Sequence, residues 1–97
     1  MNELLGKTFI KATLSQDNTH LHIKTKEGHF YYMAPRGWEF NDIILTRHRE
    51  SNRRKIIKEV TVWPRLNEVR LILSLWEMIV VQLVEIQARA LPIRIEV

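Results

Sequence analysis

Two rhythms divide the chain. Between Lys7 and Ala34, apolar and polar positions alternate every second residue; between Leu66 and Leu91, apolar residues fall at spacings that fit 3.6 residues per turn. The first rhythm predicts strands and the second a helix.

The strand region can be tested for self-consistency, because a hairpin register must place all its apolar side chains on one face. With Asp17-Asn18 as a turn, Leu14 faces Leu21, Ala12 faces Ile23 and Ile10 faces Thr25. With Glu27-Gly28 as the next turn, Thr25 faces Phe30, Ile23 faces Tyr32 and Leu21 faces Ala34. Both turns select the same inner face, which predicts a three-stranded meander. Its outer face then collects Phe9, Lys11, Thr13, His22, Lys24, Lys26, His29, Tyr31 and Met33, a basic and partly aromatic set. Lys11 stands opposite Lys24, a like-charge pair that costs a few tenths of a kcal/mol, roughly, unless an anion covers it.

Ala34-Pro35-Arg36-Gly37-Trp38 interrupts the alternation and reads as a loop carrying one guanidinium and one indole. Residues 40–62 read as a second hairpin that turns near Ser51-Asn52, with Ile43 and Leu45 facing Val60 and Val62. Its tip is basic, with Arg47, His48, Arg49, Arg53, Arg54, Lys55 and Lys58 interrupted by only one acid, Glu50. Trp63-Pro64 closes the strand and opens the helix, since proline suits a first helical position.

On a helical wheel the apolar residues of 66–91 cover an arc of roughly 180°, against roughly 100° for an ordinary surface helix. Trp76 and Leu83 lie at its centre, and Arg70, Ser74, Glu77 and Glu85 form a narrow polar strip. About four large side chains would remain after one sheet has covered its share, each contributing roughly 1.5 to 3 kcal/mol on burial. Such a helix calls for a partner, most simply a second copy packed through Ile72, Leu75, Trp76, Ile79, Leu83 and Ile86. Leu91-Pro92 stops it, and Ile93-Arg94-Ile95-Glu96-Val97 alternates as a closing strand. The expected architecture is therefore α+β: one domain over 1–97, with an antiparallel sheet of about five to six strands within 7–63, a long helix over 64–91 and a short strand over 92–97.

Composition narrows the chemistry more than it identifies it. The 97 residues contain no cysteine, which excludes a disulfide framework, a thiolate zinc site and a thiol nucleophile. Fifteen Lys and Arg against eleven Asp and Glu give a net charge of +4. The apolar run of 71–84 is short of the roughly 18 residues a membrane helix needs, and the opening Met-Asn-Glu-Leu-Leu-Gly lacks an export signal, so a cytoplasmic protein is expected.

No catalytic or cofactor signature emerges. Gly6-Lys7-Thr8 lacks the earlier glycine and following helix of a phosphate-binding loop. His20 and His22 share a strand face but lack a third metal ligand. No serine has a carboxylate-oriented histidine at a recognisable spacing, and no carboxylate pair stands out. No catalytic residue, metal or cofactor is expected. The leading reading is a small binding or regulatory protein whose partner is anionic, nucleic acid first. Its contacts would come from Lys11, Lys24, Lys26, Tyr31, Arg36, Trp38, Arg47, Arg49, Arg53, Arg54 and Lys55. Two alternatives stay open: a protein-interaction or inhibitor module, acidic proteins included, and a metal-independent ribonuclease using His22, His29, Lys24 and Tyr31 on one face.

Overall fold

The computed structural model describes residues 1–46, 55–63, 67–74 and 77–86. After a short 3-10 turn at Asn2–Leu4, the described residues form seven strands: β1 (Phe9–Leu14), β2 (His20–Thr25), β3 (Gly28–Met33), β4 (Trp38–Thr46), β5 (Ile57–Trp63), β6 (Glu68–Leu73) and β7 (Met78–Glu85). They make two antiparallel sheets, one ordered β1-β2-β3 and the other β4-β7-β6-β5. Among the described residues there is no α-helix, and no helix long and apolar enough to cross a membrane.

The meander forms as its alternation dictates, with Leu14 opposite Leu21, Ala12 opposite Ile23 and Lys11 opposite Lys24. Its first loop is closed by the Ser15 N–H donating to the His20 carbonyl at 2.9 Å, and Asn18 takes the left-handed conformation (φ 61°) that its short polar side chain tolerates. Two local departures matter. A bulge between Phe9 and Lys11 leaves Ile10 half exposed and turns Phe9 toward the core, so Phe9 rather than Ile10 pairs with Thr25. The cause lies on the strand's other edge, where the Phe9 N–H donates to the Lys55 carbonyl at 2.7 Å.

The second departure is a register shift of two. The turn falls at Lys26-Glu27, so Thr25 pairs with Gly28, Ile23 with Phe30 and Leu21 with Tyr32. Glu27 is drawn back to accept the Thr8 N–H at 2.6 Å, Lys26 N–H donates to the Thr8 carbonyl at 2.9 Å, and the Thr25 hydroxyl caps the Gly28 carbonyl at 2.8 Å. An even shift preserves which side chains face inward, which is why the inner face matches while the partners do not.

The second sheet corrects the expectation of a β4–β5 hairpin. Both segments are strands, but they occupy opposite edges; β5, β6 and β7 run as a meander and β4 pairs with β7, which is Greek-key topology. Ile43 and Leu45 consequently face Val81 and Ile79 rather than Val60 and Val62.

The long helix over 64–91, and with it the α+β class, is overturned. Val69, Leu71 and Leu73 are buried in alternation along β6, as are Ile79 and Val81 along β7, and Val69 pairs with Val81 and Leu71 with Ile79. Apolar residues on both faces of two successive strands fill a helical wheel as well as a helix does. The β-branched content of Val-Arg-Leu-Ile and Ile-Val-Val favours the extended form. The break between the strands is made by hydrogen bonds: Ser74 exchanges bonds with Ile56 through its N–H (2.8 Å) and its hydroxyl (3.1 Å), and the Leu73 N–H reaches the Glu77 carbonyl at 2.8 Å. Glu77, placed on the narrow polar strip of the wheel, is buried. The dimer stripe loses its scaffold as well: Ile79 is inside the core, Ile72, Leu83 and Ile86 are half-buried on or beside separate strands, and Leu75 and Trp76 lie outside the described residues. The closing strand over 92–97 also falls outside them.

The sheets pack through their inner faces. Leu4, Leu21, Ile23, Phe40, Ile57, Val69, Leu71, Leu73, Ile79 and Val81 form one core with contributions from both. Backbone bonds lace the sheets at two corners: Gly6 and Lys7 with Ile57 (both 2.9 Å), and the Phe40 N–H with the Asn18 carbonyl (2.8 Å). The outer face of β1-β2-β3 is thereby backed by the shared core.

Candidate nucleic-acid interface

β1, β2 and β3 contain no aspartate or glutamate, and their outward side chains include Lys11, His22, Lys24, His29 and Tyr31. Lys11 and Lys24 are exposed cross-strand neighbours, and neither they nor Lys26 has an ion-pair partner among the described residues. Like charges held side by side in a sheet are a standing electrostatic cost that an incoming anion removes.

Beside the lysines, the two-residue shift creates something the expected register would not have made. His22 lies opposite Tyr31, with ring centroids 4.5 Å apart and planes within 7°, and also stacks on His29 at 5.0 Å and 16°. His22 Nε2 is 2.8 Å from His29 Nδ1, and the Thr13 hydroxyl is 3.5 Å from His22 Nδ1. Three nearly parallel rings thus stand in a row with His22 in the middle, and Tyr31, two-thirds exposed, ends it. Desolvation holds the His22 imidazole below its ordinary pKa, with His29 and Lys24 adding to the effect. A neutral ring at this position is a better stacking surface than a charged, hydrated one.

The other expected contacts do not all join this face. Lys26 is exposed in the β2–β3 turn at its rim, and Arg36 is exposed in the β3–β4 loop. Trp38 begins β4 half-buried, its N–H bonded to the Pro35 carbonyl at 2.9 Å across Gly37, whose φ of 86° suits glycine. Lys55 is neutralised: its ammonium lies 3.2 Å from the buried Glu77 carboxylate. Arg47, Arg49, Arg53 and Arg54 lie outside the described residues. Between β1 and β4 a cleft of about 330 Å³ is lined by Phe9, Ile10, Ala12, Ile43, Leu45 and Ile79, with Lys11 and Lys55 at its margins.

Sequence reasoning placed Tyr31 and the lysines on one face but missed the His22–His29 contact, because its register set Met33 opposite His22. Glu27, two residues after the end of β2 and able to turn back onto Thr8, was the signal for a turn one residue earlier. No group of three or more metal-binding side chains occurs among the described residues. Comparison of the chain with protein-family models, with curated proteins and with solved structures finds no match.

Proposed function

We propose that this protein is a non-enzymatic binding protein for single-stranded nucleic acid, with the outer face of β1-β2-β3 as its interface. The observation that supports the reading is the ring row ending in exposed Tyr31, set beside the ammonium groups of Lys11 and Lys24, which have no ion-pair partner among the described residues. A sheet face that offers an aromatic platform to unstacked bases and cations to the backbone suits single strands, whose bases are free to stack. Bases would pack on the solvent-facing side of the row at Tyr31, and Lys11, Lys24, Lys26 and Arg36 would receive phosphates.

The ribonuclease reading has less support. A general acid and a general base must address opposite sides of a phosphate, whereas His22 and His29 are hydrogen-bonded to each other.

Titration of a labelled short oligonucleotide, followed by anisotropy at several salt concentrations, tests the proposal. Up to four phosphate contacts predict a log–log salt slope near −3, roughly 0.7 per contact, for a single strand. A protein that fails to bind single strands at low salt, or that binds an acidic polypeptide of equal charge as well, is not this protein.

A further inference from the structure

Among the described residues, the interface has an open side. In an antiparallel ladder, residues alternate between those bonded to the neighbouring strand and those whose N–H and C=O point away. The Ala34 N–H bonds the Thr19 carbonyl at 2.7 Å, so Tyr32 and Phe30 are the residues that bond across to β2. His29, Tyr31 and Met33 therefore turn their backbone groups outward from β3. No backbone bond reaches them among the described residues.

We infer that this edge pairs with the same edge of a second copy, so that two meanders join into one continuous antiparallel sheet. Charge selects both the edge and the occupant. β1 carries Lys11 and is tied at its start to residues 55–57; β4 carries Glu39 and Asp42; β5 carries Lys58 and Glu59. Charges of this kind protect sheet edges from pairing. β3, Gly-His-Phe-Tyr-Tyr-Met, has none, and it exposes Tyr31 and Met33. Within Gly28–Met33 an edge without charge gains nothing from a charged partner strand and carries no charge to repel its copy; the cations Lys26 and Arg36 lie beyond its two ends.

The register follows from symmetry. A two-fold axis through an outward-facing residue sets Tyr31 against Tyr31 of the second copy and His29 against Met33, each pair exchanging two hydrogen bonds, about six in all. On the inner face Phe30 meets Tyr32, and on the outer face a thioether meets an imidazole edge; aromatic cross-strand pairs of this sort stabilise sheets. The row Thr13–His22–Tyr31 would continue as Tyr31–His22–Thr13 of the second copy, doubling the aromatic platform and placing a lysine pair at each end.

A chain without cysteine permits a clean test of this register. Cα atoms of a directly opposed pair lie about 5.5 Å apart, within disulfide reach, whereas Met33 would lie about 13 Å from Met33 of the second copy, four residues along the strand. Under mild oxidation and without nucleic acid, Tyr31→Cys is expected to give a covalent dimer in high yield and Met33→Cys little or none. Sedimentation of the unmodified protein should show a dimer, and Met33→Pro should shift it toward monomer while leaving the circular dichroism unchanged, since that proline removes only an outward N–H. A monomer at every concentration, equal cross-linking at both positions, or a dimer indifferent to Met33→Pro would each overturn the inference. Because these experiments involve no oligonucleotide, their failure would leave the proposed binding face standing, and the failure of that face would leave the dimer standing.

Discussion

His22 Nε2 sits 2.8 Å from His29 Nδ1, so the two rings share one proton between them and cannot both be charged without repulsion. Folding holds the His22 pKa below its ordinary value of 6.5, through desolvation first and then the fields of His29 and Lys24. The unfolded chain consequently takes up a proton more readily as the pH drops. This contribution to stability is complete above about pH 6.5 and is lost as the pH falls through that value toward the folded pKa. Urea unfolding at about pH 7.5 and about pH 5 should show the loss. In His29→Ala, NMR titration should find His22 moved back up toward 6.5.

Asp17 anchors the first hairpin loop. Its carboxylate accepts bonds from the Ser15 hydroxyl (2.7 Å), the Thr19 hydroxyl (2.7 Å) and the Thr19 N–H (3.1 Å), and these hold its pKa down at about 2. Its stabilising effect is therefore present above the ordinary value of 3.8 and disappears as the pH falls toward 2. Asp17→Ala should lower the melting temperature and speed exchange of the Thr19 amide. At the neighbouring position, Asn18→Val should cost about 1 to 2 kcal/mol because a β-branched residue resists positive φ, while Asn18→Gly should be close to neutral.

Lys55 and Glu77 form a pair that is buried on one side only: the carboxylate is 3% exposed and the ammonium-bearing side chain 25%. Removing Lys55 strands a charge inside the protein. Breaking a buried pair costs roughly 3 to 5 kcal/mol, and the partial exposure of Lys55 puts Lys55→Ala near the lower figure, about 3 kcal/mol. The double variant Lys55→Met, Glu77→Leu should recover most of that loss in chemical denaturation, since apolar replacements leave nothing uncompensated.

Tyr31 and Lys11 should separate stacking from charge. Tyr31→Ala is expected to weaken single-strand binding by about 1 to 3 kcal/mol at every salt concentration, the worth of one stacked base. Lys11→Ala should instead flatten the salt slope by about 0.7. Lys11 is exposed, so Lys11→Ala should barely change the melting temperature, whereas Tyr31→Ala also removes the stack on His22 and should lower it modestly. Anisotropy titrations paired with thermal melts check both effects.

How far the sequence reveals this fold depends on how local the deciding interaction is. The β1–β2 register was legible because Leu14, Ala12, Leu21 and Ile23 must share a face across a short loop. The β2–β3 register was legible only in its parity, since the choice of turn rests on Glu27 reaching Thr8, nineteen positions away. The region from Val69 to Val84 misleads for a different reason. Its strands have apolar residues on both faces, so the period-two signal is filled in and a helical wheel closes around it. The only local hint is the β-branched content; pairing of Val69 with Val81 and Leu71 with Ile79 decides the matter. The candidate site followed the same division. Alternation placed Lys11, Lys24 and Tyr31 on one face, while the contact of His22 with His29 waited on a register that the turn alone could not set.

The position of β4 next to β7 has a bearing on how the chain is made. Trp38 of β4 finds its partner in Glu85 of β7, nearly fifty residues later, after the two intervening strands β5 and β6 have been synthesised. At ribosomal speeds of roughly 5 to 20 residues per second, Phe40, Ile43 and Leu45 must wait several seconds with one edge unfilled, while the β1-β2-β3 meander can already close. Assembly should therefore proceed from the amino-terminal sheet outward, and a nascent chain halted before β7 should be the form that chaperones hold.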